Sequence, residues 1–274
     1  MCLPLAARIA RVELSAMRST SPAPMPAVRR DDALAGEAAA GGPAKRDFVR
    51  AVFEQIAPSY DLLNHLLSLN VDRRWRRLAI AALGWRRAPA GTYLDLCAGT
   101  LDVSATLARA PGFGGRVIAA HFAEAMLRAG RTKVHPQATF PVLADVLALP
   151  LAAGTVAGAI VAFGARNLAD LDAGLREVRR VLAPGARFVI LEFTTPRSAV
   201  VRALYHLYFH RVLPLVGGAI SGHRSAYRYL PQSVAHFPAE EELAARMRSA
   251  GFTSVSARSL TCGIAAIHVG TRTP

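Results

Sequence analysis

The stretch Tyr93–Ala108, YLDLCAGTLDVSATLA, decides the fold of this chain. It reads as an apolar strand that runs into a turn at Gly99 and then into a helix. This order is typical of α/β proteins that bind a nucleotide-like ligand beyond the carboxyl end of a strand. Glycine lets the backbone pass close to a ligand, and Thr100 places a hydroxyl at the start of the helix. The stretch therefore predicts a ligand site directly after the first strand.

Outward from this stretch, short apolar runs alternate with helical patterns. The runs that predict strands are Thr92–Leu96, Arg116–Ala120, Thr139–Leu143, Val156–Val161 and Arg187–Glu192. The helices predicted between them are Val103–Ala110, Ala123–Lys133 and Asp172–Leu182. Strands that alternate with helices form parallel βαβ units with right-handed crossovers, so the predicted fold class is α/β with a doubly wound sheet.

Both flanks of this region carry periodic patterns as well. From Arg46 to about Leu83 apolar residues recur at helical spacings, which predicts N-terminal helices. After a last helix at Ala239–Ala250, strands at Ser254–Ser259 and Cys262–Gly270 are predicted to form a hairpin. By fold analogy, such an ending is typical of the methyltransferase variant of the doubly wound fold.

The first 43 residues differ from the rest of the chain. They are rich in Ala, Pro, Ser and Gly and show no sustained apolar period. We predict a disordered extension over residues 1–43 and one domain over residues 44–274. The alternatives are a later start of translation and a targeting peptide, although the segment lacks the apolar run of a secretory signal.

Composition limits the function classes that remain. Only Lys45 and Lys133 among the 33 basic residues are lysines, and the arginines are scattered along the chain. The formal charge of +14 thus indicates arginine-rich codon usage, and contact with an anionic membrane surface, more than nucleic-acid binding. Apolar runs such as Val156–Phe163 are too short to span a bilayer. The three widely spaced cysteines predict neither a disulfide framework nor a metal site, which fits a reducing cytoplasm.

The turn and the strand ends define a candidate cofactor site. A dinucleotide fold requires G-x-G-x-x-G to seat a pyrophosphate, whereas this chain has CAGTLD, so a cofactor without phosphate is favoured. His121 stands at the end of the second strand, where an acid usually binds ribose hydroxyls. After the third strand, Asp145 is placed to meet the amino group of an adenine, with Val146 against its ring. S-adenosylmethionine matches this layout; the alternatives are a helix cap for Asp145 and a plain turn for Gly99.

Six segments together carry a family resemblance. They are FEQIAPSYDLLNHLLSLNVDRRWRR (Phe53–Arg77), LDLCAGTLD (Leu94–Asp102), LADVLALPL (Leu143–Leu151), AFGARNLAD (Ala162–Asp170), LEF (Leu191–Phe193) and SAYRYLPQSV (Ser225–Val234). With them, the chain from about Val49 to Arg272 resembles the ubiquinone/menaquinone biosynthesis C-methyltransferases of the UbiE/MenG type. The resemblance implies a class I S-adenosylmethionine-dependent methyltransferase fold with a helical lid insertion. It also implies cofactor contacts at Thr100, His121, Asp145 and Val146.

Three residues depart from the pattern of that family. The family usually has Gly at the position of Leu101, Asp at that of His121 and often Ser at that of Ala162. Leu101 would add bulk beside the methionine end of the cofactor, unless the helix that starts there points it into the core. His121 can bond one ribose hydroxyl but cannot bind both as a carboxylate does. We expect weaker cofactor binding rather than none.

The reaction implied by the resemblance moves a methyl group to a ring carbon of a polyprenylated hydroquinone without a metal. Arg166 and Asn167, on the loop after the fourth strand, are the predicted catalytic residues and would stabilise a phenolate. Arginine is a poor proton acceptor because its pKa lies above about 12, so the base is expected to be an ordered water held by these residues, or a histidine. The alternative for Arg166 is a surface ion pair.

The segment Ser198–Ile220, SAVVRALYHLYFHRVLPLVGGAI, is apolar and aromatic with basic residues interleaved. It predicts a broken amphipathic element, either a core helix or a hydrophobic lid over a prenyl tail that rests on the membrane. With the resemblance, it implies a cytoplasmic protein peripheral to the inner face of the membrane, with a prenylated quinol as substrate. A homodimer is a further expectation.

Two other functions compete with this hypothesis. A nucleic-acid methyltransferase would normally carry an Asn/Asp-Pro-Pro-aromatic loop after the fourth strand, where this chain has FGARN (Phe163–Asn167). A non-catalytic relative is suggested by Leu101 and His121. The segments YDLLNHLLS, FGARN and YRYL favour an enzyme, because a scaffold has no chemical need for them.

Overall fold

The computed structural model describes residues 43–61, 68, 70–208, 211 and 224–273. Residues 1–42, and with them nearly all of the predicted extension, lie outside the described residues. The described chain begins at Pro43 with helix α1, next to the boundary that the sequence predicts for the domain.

Seven strands form one mixed sheet in this part of the chain. They are β1 (Thr92–Leu96), β2 (Arg116–His121), β3 (Thr139–Leu143), β4 (Val156–Ala162), β5 (Leu182–Phe193), β6 (Phe252–Leu260) and β7 (Ala265–Arg272). Their order is β3-β2-β1-β4-β5-β7-β6, with β1 to β5 parallel and β7 antiparallel to β5 and β6. The predicted α/β class, doubly wound sheet and terminal hairpin are confirmed.

Helices connect and cover these strands. They are α1 (Pro43–Ile56), α2 (Val71–Leu83), α3 (Asp102–Ala108), α4 (Glu124–Gly130), α5 (Leu171–Val181), α6 (Ala199–Leu207), α7 (Arg224–Ala235) and α8 (Glu240–Ser249). The helical pattern predicted from Arg46 to Leu83 is divided, because α1 passes into a short 3-10 turn at Ala57–Ser59 and α2 begins only at Val71. Of the predicted lid, α6 is described, whereas residues 209–210 and 212–220 lie outside the described residues.

Most strands lie within one or two residues of their predicted bounds, whereas the starts of β5 and β7 differ by more. β5 begins at Leu182 rather than Arg187, because its pairing with β4 includes an irregularity that admits extra residues. β7 begins at Ala265 rather than Cys262, because Thr261–Gly263 form a 3-10 turn in which Cys262 has a φ of 56°. A positive φ is incompatible with an extended strand.

Apolar side chains cover both faces of the sheet. On one face Val178 of α5 and Met247 of α8 pack against it, and on the other Trp75 and Ile80 of α2 do so. The residues of β1 are nearly all buried. The order of the sheet reverses between β1 and β4, and a ligand of an open α/β sheet binds beyond the carboxyl ends at such a point.

Helix α1 lies outside these layers, over the carboxyl edge of the sheet. It contacts α4 and the turn Ala165–Asn167 that follows β4. Its residues Val52 and Ile56 also pack with Tyr205 of α6. Helix α1 therefore packs between the loops at this edge of the sheet and α6, the first helix of the predicted lid.

Candidate active site

The turn after β1 places a leucine where glycine is easier to accommodate. Gly99 has a φ of 54° and Leu101 a φ of 68°, in the left-handed region that strains a leucine. The Leu101 side chain is nonetheless fully buried and packs with Ala119 and Leu127. Of the two alternatives for Leu101, the structure shows the core position, so its bulk stays out of the cofactor pocket.

Asp95, which sequence reasoning missed, holds the start of α3. Its carboxylate accepts hydrogen bonds from the Ser104 backbone N–H at 3.0 Å and from the Ser104 hydroxyl at 2.6 Å. The first N–H groups of a helix need such an acceptor, and Leu101 at the N-cap cannot supply one. Burial raises the pKa of Asp95 to about 7. A lone acid inside an apolar strand is the sequence signal that could have identified it.

A pocket lies where the loops after β1, β2, β3 and β4 meet. It encloses about 400 Å³, including its open mouth. The lining residues are Arg46, Cys97, His121, Phe122, Ala144, Asp145, Val146, Asn167, Leu168 and Ala169. Three of the predicted cofactor residues thus share one pocket with the predicted catalytic residue Asn167. Gly99 and Thr100 belong to the turn and are not in this lining.

His121 enters this pocket as a neutral ring. It is 3% exposed and lies edge-on to Phe53 and Phe122, with ring centroids 5.7 and 5.3 Å away. Burial lowers the pKa of His121 to about 4, so the ring has one donor and one acceptor nitrogen at neutral pH. Neither ring nitrogen has a hydrogen-bond partner among the residues that the structure describes. A buried polar group without a partner is costly, so this side chain suits a ligand that bonds to it.

Asp145 already has two partners in the pocket. Its Oδ1 accepts from the Leu147 N–H at 2.9 Å, and its Oδ2 lies 2.8 Å from Nε of Arg46 on α1. The first bond spans two residues and forms a local turn rather than a helix cap. The second brings a cation from α1 to the carboxylate that is predicted to bind the adenine amino group.

Thr100 is held from the side of the N-terminal segment. Its hydroxyl donates to Asp61, the acid of the YDLLN segment. The other oxygen of Asp61 lies 2.5 Å from Nζ of Lys133, which also lies 2.7 Å from Asp102. This network fixes the turn after β1, and it gives Asp61 and Lys133 structural roles that the sequence did not reveal.

The pocket fits a nucleoside cofactor without phosphate. The unpartnered nitrogens of His121 suit a ribose hydroxyl, and Val146, which is buried there, suits the face of an adenine. The Asp145 carboxylate can accept a hydrogen bond from an amino group when Arg46 shares the carboxylate or moves away from it. Among the described residues, no group of three or more His, Cys, Asp and Glu is placed to hold a metal ion.

Arg166 lies in a buried ion pair beside the pocket. Its Nη1 is 2.6 Å from Oε1 of Glu192 and donates to the Phe163 carbonyl at 2.5 Å. The two side chains are 9% and 1% exposed, so the surface ion pair considered from the sequence is in fact an interior one. The guanidinium also lies over the ring of Phe193, 5.6 Å from its centroid. Its Nε is buried and has no hydrogen-bond partner in the described part of the chain.

Asn167 joins the FGARN and YRYL segments. Its Oδ1 accepts a hydrogen bond from the Tyr229 hydroxyl at 3.2 Å, and both residues are buried. Burial raises the pKa of Tyr229 to about 12, so the hydroxyl stays protonated as a donor. The Tyr229 ring packs on Phe48 of α1 at 5.5 Å. Tyr227, which the sequence also pointed to, has its side chain outside the described residues.

Three buried groups near Arg166 were missed at the sequence level. They are Lys45 of α1, Glu192 of β5 and Tyr205 of α6. Burial, followed by the charge of Arg166, lowers the pKa of Lys45, while Glu192 opposes the shift. Glu192 had a sequence signal, as a lone acid at the end of an apolar strand. Lys45 had none, because a lysine in the first turn of an amphipathic helix is ordinarily exposed.

The chain is similar over most of its length to known proteins of one family. The model of the ubiE/COQ5 methyltransferase family matches residues 42–272. A demethylmenaquinone methyltransferase of Thermus thermophilus is 49% identical over 81% of this chain and 100% of its own length. A ubiquinone/menaquinone biosynthesis C-methyltransferase UbiE of Geobacter sulfurreducens is 44% identical over 82% of this chain and 89% of its own length.

Solved structures agree on the fold. A SAM-dependent methyltransferase from Thermotoga maritima superposes with a TM-score of 0.58 at 17% identity, over 81% of this chain and 99% of that one. The Haemonchus contortus phosphoethanolamine N-methyltransferase 2 in complex with S-adenosyl-L-methionine gives 0.52 at 12% identity, over 71% of this chain and 52% of that one. The chain therefore has the class I methyltransferase fold, belongs to the ubiE/COQ5 methyltransferase family and is an S-adenosylmethionine-dependent methyltransferase.

Proposed function

We propose that this protein transfers a methyl group from S-adenosylmethionine to a ring carbon of a polyprenylated hydroquinone in quinone biosynthesis. The buried Arg166 carries the proposal, because its unpartnered Nε lies on the residue next to Asn167, which lines the cofactor pocket. The names of the relatives, demethylmenaquinone methyltransferase and ubiquinone/menaquinone biosynthesis C-methyltransferase, support the same substrate class.

The cofactor supplies an activated methyl group, because its sulfonium sulfur leaves as a neutral thioether. The chain has to make the acceptor carbon nucleophilic, which requires a phenolate on the neighbouring ring carbon. Arg166 stabilises that phenolate through Nε, in a site where burial strengthens the interaction. Asn167, whose Oδ1 is held by Tyr229, keeps its amide nitrogen as a further donor.

Aromatic side chains surround this donor pair and suit a quinol ring. Phe53, Tyr60, Phe193 and Tyr205 form one apolar cluster between α1, β5 and α6. Such walls exclude water, and they hold an aromatic ring in line with the methyl donor. Alignment of this kind lowers a barrier by several kcal/mol, and by about 7 to 11 kcal/mol at best.

Methylation of a supplied quinol tests this function. In a host that lacks its own quinone methyltransferase, expression of this protein should convert the demethylated quinone to the methylated form, as followed by mass spectrometry. Demethylmenaquinone and a ubiquinone precursor are scored separately, which identifies the head group. A folded and abundant protein that leaves both quinones demethylated while still binding the cofactor would support a non-catalytic relative instead.

One face of α6 supports the proposal of a lid that contacts the membrane. Val200, Leu204 and Leu207 are 71%, 63% and 59% exposed and recur at helical spacing along this face. Tyr205, on another face of the same helix, packs with the residues of α1 beside Arg166. A helix that is apolar toward solvent and buried toward the active site is suited to guide a prenyl tail from lipid.

No helix among the described residues is long and apolar enough to cross a bilayer.

We expect the apolar face of α6 to bind lipid. A variant with Val200, Leu204 and Leu207 changed to Ser should bind anionic vesicles on the order of 10-fold more weakly than the unchanged protein in a sedimentation assay. Leu143→Ser is the matched control, because Leu143 is 52% exposed on β3, far along the chain from α6. Equal binding by the triple variant would place the membrane contact elsewhere.

The homodimer stays a prediction, which equilibrium sedimentation tests.

A further inference from the structure

The buried charges beside Arg166 do not balance. Lys45 is 7% exposed, and among the described residues it shares the interior with Arg166 and with one carboxylate, that of Glu192. Glu192 is already bonded to Arg166 through both the guanidinium and the backbone N–H. A lysine buried without its own carboxylate loses hydration and gains little in return, so its position calls for a functional reason.

The surroundings of Lys45 are those of the proposed quinol site. Helix α1 contacts the turn that carries Arg166 and Asn167, and Phe48, one turn beyond Lys45, packs on Tyr229. Other ionisable groups of the described residues around Arg166 and Glu192 are Tyr60, Tyr205, Tyr229 and the thiol of Cys97. On α1 itself, Arg46 is turned toward Asp145 in the cofactor pocket.

We propose that Lys45 is the base that removes the hydroxyl proton of the quinol, and the inference rests on the proposed function. Its amine is more easily deprotonated than that of an ordinary lysine, because burial and the Arg166 charge both disfavour the ammonium and lower the Lys45 pKa. Arg166 cannot act as the base, because its guanidinium remains a cation under all conditions in which the protein is folded. The proton acceptor and the phenolate stabiliser are therefore two different residues.

The proton balance of this step closes. Lys45 Nζ takes the hydroxyl proton and becomes an ammonium, while the phenolate oxygen pushes electron density into the ring. The ring carbon then forms its bond to the methyl carbon as the methyl to sulfur bond breaks, and the sulfur keeps the electron pair. The methylated carbon loses its hydrogen as a proton to solvent, and Lys45 returns its proton to the oxygen. One proton is released in each turnover.

The lysine content of the chain makes a direct measurement feasible. Lys45 and Lys133 are its only lysines, so protein labelled with ¹³C and ¹⁵N in lysine gives two side-chain signals. One signal should titrate at lower pH than a free lysine and should be absent from Lys45→Arg, which assigns it. A Lys45 signal that titrates like free lysine would overturn the proposal, and this measurement needs no activity.

Turnover provides the second test. Lys45→Arg keeps the positive charge but cannot accept a proton, and Lys45→Met can neither carry a charge nor accept a proton. Both variants should therefore lose on the order of 100-fold or more in kcat. In the unchanged enzyme, kcat/KM should fall as the pH drops through the pKa of Lys45, because the amine becomes protonated. Cofactor binding by calorimetry checks that each variant is folded.

The outcomes separate this inference from the proposed function. Full activity in Lys45→Arg would show that the residue supplies charge alone and would refute the base. An unchanged protein that methylates neither quinol refutes the proposed function instead, whatever the lysine titration shows.

Discussion

Changing Arg166 to alanine is expected to lower kcat by about 100- to 1000-fold while cofactor affinity changes little. In the proposed mechanism, the guanidinium donates a hydrogen bond to the phenolate, whose charge makes the ring carbon nucleophilic. It does not line the cofactor pocket. Single-turnover kinetics and calorimetry with S-adenosylmethionine measure the two effects separately. Equal losses in both would place Arg166 in the cofactor site.

The ion pair with Glu192 complicates this variant and also supplies its control. Removing Arg166 alone leaves the buried Glu192 carboxylate without its cation, which costs about 3 to 5 kcal/mol of stability. Changing Glu192 to Gln in the same protein removes that charge as well, so the double variant should recover most of the stability in urea unfolding. Its kcat should stay low. Recovery of turnover together with stability would reduce Arg166 to a structural role.

Changing His121 to aspartate is expected to tighten S-adenosylmethionine binding by about 5- to 150-fold, which corresponds to about 1 to 3 kcal/mol. A carboxylate accepts from both ribose hydroxyls, whereas the neutral imidazole of His121 bonds one. Calorimetry measures the affinity directly. Unchanged or weaker affinity would mean that His121 does not face the ribose.

The aromatic surroundings of His121 predict that this substitution also changes the stability of the protein. Phe53 and Phe122 lie against the ring, so a carboxylate there is poorly hydrated in the free protein. We therefore expect His121→Asp to lower the stability of the free protein and to regain it when the cofactor binds. His121→Asn is the matched control, because it has similar size to Asp without the charge, and it should not reproduce the gain in affinity.

Acid should also act on the unchanged protein through His121. Burial lowers its pKa to about 4, below the ordinary value of 6.5, so the unfolded chain binds the proton more readily than the folded one. The stability associated with the neutral ring is complete above pH 6.5 and is lost as the pH falls toward 4. The His121→Asn variant should therefore lose less stability than the unchanged protein over the same pH range.

The sequence by itself determined the α/β class and the approximate positions of the strands, and it predicted which loops meet at the candidate pocket. These features follow from local periodicity, because a buried parallel strand must be apolar throughout and a covering helix apolar on one side. β1, which is nearly all buried, has the predicted bounds for this reason. The edge of the sheet at which the pocket lies could also be predicted, since the carboxyl ends of parallel strands meet there.

Only the tertiary structure decided what individual side chains do at that edge. Leu101 points into the core because α4 leaves room there, with Gly130 so close that an added Cβ would lie 2.8 Å from Cγ of Leu101. Lys45 becomes buried only when α1 covers the turn after β4 and brings it near Arg166 and Glu192. Burial and charge in such a cluster depend on contacts between distant segments, which local periodicity does not encode.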